Sequence, residues 1–111
     1  MADLARMQEC LLELSVLNLL DEEGMQGYAI AKRLAEFPRL TVKEEAVYAL
    51  LDRLCREGIV ASTQADPRTD RGQRVYELTK TGRQQLWSLN DAWQEVSGTL
   101  SRLTARDRTY G

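Results

Sequence analysis

Residues 41–79 read TVKEEAVYALLDRLCREGIVASTQADPRTDRGQRVYELT, and this stretch decides the fold. Thr41 stands where a helix cap is wanted. Glu44, three residues on, completes a capping box in which hydroxyl and carboxylate each satisfy an orphan backbone amide. Val42, Ala46, Val47, Leu50, Leu51 and Leu54 then recur at helical spacing, which predicts a helix with one buried stripe. Gly58 follows the last periodic residue, in the place where a left-handed residue commonly ends a helix. Two β-like runs come next, Ile59–Thr63 and Arg74–Leu78, separated by the polar loop 64–73. Between Asp66 and Arg74 the chain carries Arg68, Arg71 and Arg74 against Asp66 and Asp70. A helix therefore feeds a hairpin with a basic tip.

Upstream, Leu4, Met7, Leu11, Leu14, Leu17 and Leu20 fall at three- and four-residue intervals. They predict a first helix from about Asp3 to Leu20, ended by Asp21-Glu22-Glu23-Gly24. A second helix is expected from about Gln26 to Phe37, with Ile30, Leu34 and Phe37 inward. Pro38 stops it, because proline pushes the preceding residue out of the helical region. Downstream, Thr79-Lys80-Thr81-Gly82 caps a long last helix reaching about Leu103, with a polar tail at 105–111. Within that helix Leu86, Leu89, Trp93, Val96, Leu100 and Leu103 are separated by 3, 4, 3, 4 and 3 residues, a heptad seam. So long a stripe exceeds what one small domain covers, and these six residues are expected to form a dimer interface with a second copy. The alternative is that the seam packs within its own chain. Trp87, beside the seam, is expected to pack on the domain, and Tyr28 and Tyr76 to be structural. The fold class is thus mainly α with a small β-hairpin (α+β). Residues 1–80 form a winged helix-turn-helix unit whose first helix also joins the dimer interface, and residues 81–104 form a dimerisation helix.

Composition narrows the function. At 111 residues, 43% hydrophobic and 29% charged, the chain is of a size and balance suited to one soluble globular domain. No apolar run approaches the roughly 20 residues that span a bilayer. Asp3 and Glu9 interrupt the start of the chain, so no signal peptide is read and a cytoplasmic location without membrane partners is expected. There is no histidine, which removes Ser-His-Asp and Cys-His machinery and the usual base near neutral pH. Cys10 and Cys55 are expected to be reduced core thiols, and two scattered cysteines do not make a zinc site. With no phosphate-cradling glycine loop either, an enzyme is disfavoured and neither cofactor nor metal is expected. The net charge of −2 looks unfavourable for double-stranded DNA, but phosphate contacts are local. Acidic residues gather at Asp3, Glu9, Glu13 and 21–23, away from the arginines of the hairpin.

The chain resembles the PadR family of bacterial transcriptional regulators over about residues 10–103. The resemblance rests on five pieces in order: Gly27-Tyr28-Ala29-Ile30; Val47-Tyr48-Ala49-Leu50-Leu51-Asp52-Arg53-Leu54; Glu57-Gly58-Ile59-Val60; Gly72-Gln73-Arg74-Val75-Tyr76-Glu77-Leu78-Thr79; and Thr81-Gly82-Arg83, with the Trp93 helix completing the pattern. Within the family it looks like the short branch, with a single C-terminal dimerisation helix, that includes compact multidrug-sensing repressors. The resemblance implies that Tyr48 touches the DNA backbone and that the residues before it, Lys43 and Glu44 among them, enter the major groove. Many relatives carry a small residue and a threonine where this chain has Glu45 and Ala46. A glutamate can accept a hydrogen bond from cytosine N4; alternatively Glu44 only caps and Glu45 is only solvated. Arg71, Gln73 and Arg74 occupy positions where relatives place basic residues that follow the phosphate backbone or the minor groove, and the arginine fork suits phosphate. The alternative is that Arg68 and Arg71 pair with Asp66 and Asp70. Lys32 is a further candidate phosphate contact. For Trp93 the resemblance implies a pore that sandwiches a flat aromatic or cationic effector, with Met7, Leu14, Asn18, Leu86 and Leu89 as neighbours; the alternative is packing only. The implied function is a homodimeric repressor on a pseudo-palindromic operator, possible relief coming from a small aromatic effector. The alternative, favoured by Glu44, Glu45 and the acidic balance, is a winged-helix protein-interaction module without specific DNA binding.

Overall fold

Apolar side chains at three- and four-residue spacing build a single core on which every element is hung. In a computed structural model, residues 2–37, 42–63 and 72–109 are described, with side chains at 6–37, 42–63 and 72–105. The elements run α1 (Ala2–Glu22), β1 (Met25–Gln26), α2 (Gly27–Ala35), α3 (Glu44–Arg56), β2 (Val60–Ser62), β3 (Val75–Leu78) and α4 (Lys80–Thr109). Helix α1 gives Val16, Leu17 and Leu20 to the core, α2 gives Ile30 and Leu34, and α3 gives Val47, Leu50, Leu51 and Leu54. Ile59, Val60, Tyr76 and Leu78 close it from the sheet side, and Leu86 from α4. Burying each such leucine or isoleucine stabilises by about 1.5–3 kcal/mol relative to exposure.

Helix α3 ends as its glycine predicts. Gly58 has φ 76°, its amide donates to the Cys55 carbonyl at 3.1 Å, and the Ile59 amide donates to Leu54 at 3.0 Å. These two bonds make a Schellman motif, which a residue with a Cβ adopts only under strain. The start of the helix differs from expectation. Lys43 is the N-cap, in extended backbone and with no side-chain capping bond. The Glu44 carboxylate accepts instead from the Tyr48 hydroxyl at 2.5 Å, so it does not reach back as a capping box requires. Thr41, the expected cap, lies outside the described residues.

The expected hairpin is present as β2 and β3, with Val60 opposite Leu78 and Ser62 opposite Tyr76. A third strand joins it: β1 pairs antiparallel with the other edge of β3, Met25 opposite Tyr76, giving the order β1-β3-β2. Two residues are too short a run for period-2 reading, which is why β1 was not expected. It has a clear purpose. The first two amides of α2 have no partners within their own helix, and they donate to the hairpin, Gly27 N to Arg74 O at 3.0 Å and Tyr28 N to Gly72 O at 2.8 Å. Helix α2 runs from Gly27 only to Ala35, shorter than the expected span, and Phe37, expected inward, is exposed beyond its end.

Helix α4 is rooted tightly. The Thr79 hydroxyl accepts from the Gly82 amide at 3.0 Å and lies 2.7 Å from the Gly58 carbonyl, to which it donates. Thr79→Ala removes both bonds and is expected to cost about 1 kcal/mol, the usual worth of a cap. Thr79→Ser should recover most of it; equal denaturation midpoints for wild type and Thr79→Ala would refute the assignment. The helix runs to Thr109, beyond the expected end near Leu103, so residues 105–109 are helical rather than an irregular tail. Thirty helical residues measure about 45 Å, which accounts for the 60 × 27 × 24 Å outline of the molecule. No helix among the described residues is long and apolar enough to cross a membrane.

Candidate nucleic-acid interface

Helix α3 sits on the core through Val47, Leu50, Leu51 and Leu54, and this orientation leaves Lys43, Glu44, Glu45 and Ala46 exposed at its start. The sequence-predicted contact Tyr48 is half-buried, with its hydroxyl committed to Glu44. A phosphate contact by Tyr48 therefore requires the phenol to exchange one anionic acceptor for another. Lys32, one turn along α2 from Tyr28, places its ammonium 6.0 Å from that ring's centroid, within cation–π range. A groove of about 260 Å³ runs between α2 and α3, lined by Tyr28, Lys32, Val42, Glu44 and Val47 among others. Lys32 and Glu44 are thus brought together. Tyr28, expected to be structural, is exposed at the same place; its i,i+4 spacing from Lys32 was the available signal.

The hairpin base is fixed against α2 by the two amide bonds already described, reinforced by Gln26 Nε2 donating to Gln73 O at 3.5 Å. Gln73 is exposed, and Arg74 is half-buried at the edge of the core. The charge of Arg74 is felt inward. Burial pushes the Tyr76 and Cys55 pKa values up, and the nearby guanidinium works against both. Among the described residues the buried Tyr76 hydroxyl makes no hydrogen bond of good geometry, although the Arg74 guanidinium lies near enough to pull its pKa down. Arg68 and Arg71 lie outside the described residues.

A second cluster occupies the junction of α1, α3 and α4. A groove of about 400 Å³ is lined by Glu9, Cys10, Glu13, Leu14, Arg53, Leu89, Trp93 and Val96 among others. Of the expected effector neighbours, Leu14, Leu89 and Trp93 line it, whereas exposed Met7 and Asn18 do not. Asn18 is engaged elsewhere, exchanging amide hydrogen bonds with Asn90. Leu86 departs from both roles expected of it: at 1% exposure it belongs to the protomer's own core and offers no surface to ligand or partner. Cys10 is exposed rather than a core thiol, and Cys55 is half-buried. Arg53 bridges Glu13 on α1 and Glu57 at the end of α3. The Glu13 hydrogen bond is the main reason its guanidinium is held above its ordinary pKa.

Along α4 the seam divides. Leu86 and Leu89 pack inward, whereas Trp93 is 47% and Leu100 53% exposed, with Val96 and Leu103 similar. Trp87, expected to pack on the domain, is 82% exposed. It lies about 120° around the helix from Trp93 at 100° per residue, on the outer face with Arg83, Asp91 and Gln94. Arg53 and Asn90 were invisible to periodicity, since their partners lie 40 and 72 residues away in the chain.

Residues 16–88 match the model of the transcriptional regulator PadR-like family. A PadR-like transcriptional regulator from Bacillus cereus shares 27% identity over 89% of this chain and 96% of its own, with a TM-score of 0.76. A PadR-like transcription factor from Bacteroides fragilis shares 26% identity over 93% of this chain and 99% of its own, with a TM-score of 0.74. A PadR family regulator from Clostridium difficile, 23% identical over 84% of this chain and 97% of its own, has the same fold at a TM-score of 0.69. No curated protein sequence matches the chain.

Proposed function

The chain belongs to the PadR-like family of transcriptional regulators, DNA-binding winged-helix proteins rather than enzymes, and on that premise we propose that it works as a homodimeric repressor of a pseudo-palindromic operator. The exposed apolar run Trp93, Val96, Leu100 and Leu103 carries this reading. Four large side chains at heptad spacing, each about half exposed, form a stripe that a second α4 covers. Residues 1–80 are then the reading head, with α1 sharing the interface, and residues 81–104 the dimerising helix. Twofold pairing sets two α3 helices toward one duplex, with half-sites about one helical turn or a multiple apart.

Within each head, Lys43 and the first turn of α3 enter the major groove, and Tyr48 turns from Glu44 to a backbone phosphate. Lys32, Arg71, Gln73 and Arg74 follow the phosphates on either side. A flat aromatic cation in the groove at Trp93 is the proposed effector, since an indole face and the exposed Glu9 carboxylate favour it, Glu13 being paired with Arg53. It relieves repression only by binding better to the dimer whose heads are wrongly spaced. This is proposed to occur in the cytoplasm, where the operator is.

The experiment is selection of duplexes from a random pool by the purified chain, with its mass measured by light scattering. Palindromic enrichment and a dimer mass are expected; a single subunit at micromolar concentration would refute the dimer. The exposed acids Glu44 and Glu45 favour the second reading, an interaction module without specific DNA binding, and a pool with no enriched sequence would support it. On the selected operator, Arg74→Ala should weaken binding about tenfold and reduce the slope of log K against log salt by about one unit, as loss of one phosphate contact does. An unchanged slope in a variant that melts like wild type would remove Arg74 from the interface.

A further inference from the structure

We propose that the reciprocal amide pair Asn18–Asn90 is a positioning device that fixes the direction of α4 relative to the reading head and so sets the half-site spacing the protein accepts. The inference rests on the dimeric reading above. Asn18 Nδ2 donates to Asn90 Oδ1 at 3.1 Å, and Asn90 Nδ2 donates back to Asn18 Oδ1 at 2.9 Å. Asn18 Nδ2 also donates to the Leu14 carbonyl at 2.8 Å, which holds the Asn18 side chain in place on its own helix. Two carboxamides meet head to head between α1 and α4, and each uses both its donor and its acceptor.

The position of the pair gives it its role. Helix α4 is fixed at its root, where Gly82 packs on the Ile59 backbone and Thr79 caps the first turn. Asn90 lies eight residues further, about 12 Å along the axis. Two fixed points on a rigid rod define its direction. Past Asn90 the hold of the protomer weakens: Trp93 and Val96 still line the groove against α1, but among the described side chains from 91 to 105 all except Ser97 are exposed. The next 13 residues, to Leu103, span about 20 Å and carry the exposed seam. A tilt of roughly 10° about the clasp moves that end by about 3 Å, close to the ~3.4 Å step between nucleotides on one strand. Small errors in direction at Asn90 therefore become a change of register on the duplex.

An apolar pair at this exposed point would tolerate small shifts more readily, because dispersion contacts lack the directionality of hydrogen bonds. The amide pair forms both bonds in one register only, which is the use to which single polar residues are put in helical seams. The pair is exposed enough that its contribution to overall stability is small, so its effect is geometric.

The test repeats the random-duplex selection with full-length wild type, Asn90→Ala, Asn18→Ala and Asn90→Asp, reading the distance between half-sites. Wild type should enrich one spacing at least tenfold over its neighbours. Both alanine variants should spread over adjacent spacings with preferences within about threefold, while remaining dimers that melt within a few degrees of wild type. Asn90→Asp keeps the Asn18 amide donation and loses the return bond, and should fall between. A merely structural role would lower melting temperature and leave the spacing profile unchanged. Alanine variants that keep the single wild-type spacing overturn the inference while leaving the dimeric regulator intact. A wild type that enriches no paired half-sites overturns both.

Discussion

Gly82→Ala is expected to destabilise the protein by about 3 kcal/mol, the upper part of the range for overpacking a filled site. The added methyl has nowhere to go. A Cβ built on Gly82 lies 2.1 Å from the Ile59 carbonyl oxygen and 3.1 Å from its carbon. Those are backbone atoms, so no rotamer change relieves the overlap. Either α4 lifts from the β2 entrance, or Ile59 is displaced from the core it closes at 4% exposure. Both movements also strain the contacts of the Thr79 hydroxyl with the Gly58 and Ile59 carbonyls that root the helix. For a domain whose total stability is about 5–15 kcal/mol, the loss should lower the melting temperature by roughly 10–15 °C. Gly82→Val should leave little folded protein at 37 °C. Chemical denaturation at fixed protein concentration measures the effect. A loss below that of Thr79→Ala would mean that the root of α4 yields freely, and would undercut its use as a fixed point for the clasp at Asn90.

Gly82 also shows what the sequence reveals and what it withholds. Its place in Thr81-Gly82-Arg83 marks it as part of a recurring pattern, but the reason, backbone against backbone 23 residues away, exists only in three dimensions. Gly58 is the opposite case. Its role is local, set by the helix it ends, and the φ of 76° follows from its place after the last periodic residue. The same division runs through the fold. Val47, Leu50, Leu51 and Leu54 were legible because one helix dictates their spacing. The strand at Met25–Gln26 was not, since its two residues are defined by their pairing with Val75 and Tyr76. The capping box is lost because the helix starts later than expected: with Lys43 as N-cap, Glu44 is its first residue, and the carboxylate takes the Tyr48 hydroxyl one turn along. Leu86 and Trp87 show the limit of heptad reading. Periodicity predicts that a stripe exists but not where the protomer's own core stops covering it, which here is just beyond Leu89. At the candidate interface, Lys32, Lys43, Tyr48 and Arg74 could be named from pattern, whereas Tyr28, Arg53 and Asn90 depend on neighbours from distant parts of the chain.

Leu100→Glu is expected to convert the proposed dimer into monomers at micromolar concentration and to lower operator affinity at least 100-fold. Within its own protomer Leu100 is exposed on the far half of α4, so the substitution should leave the monomer folded. Across a twofold interface it places two carboxylates in one apolar seam. Burying an unpaired charge costs several kcal/mol, which exceeds what one leucine pair contributes. The DNA effect follows from avidity. Two joined heads bind with a high effective concentration for the second half-site, a gain of about 10²–10⁴ that separate heads forgo. Sedimentation equilibrium and mobility shift on the selected operator should therefore change together, with the far-ultraviolet spectrum unchanged. Trp93→Ala removes area without adding charge and should loosen the dimer less, while abolishing any response to an aromatic cation. The comparison separates the two roles given to this helix. A Leu100→Glu protein that still sediments as a dimer places the interface elsewhere, and the exposed outer face at Trp87 would be the next surface to examine.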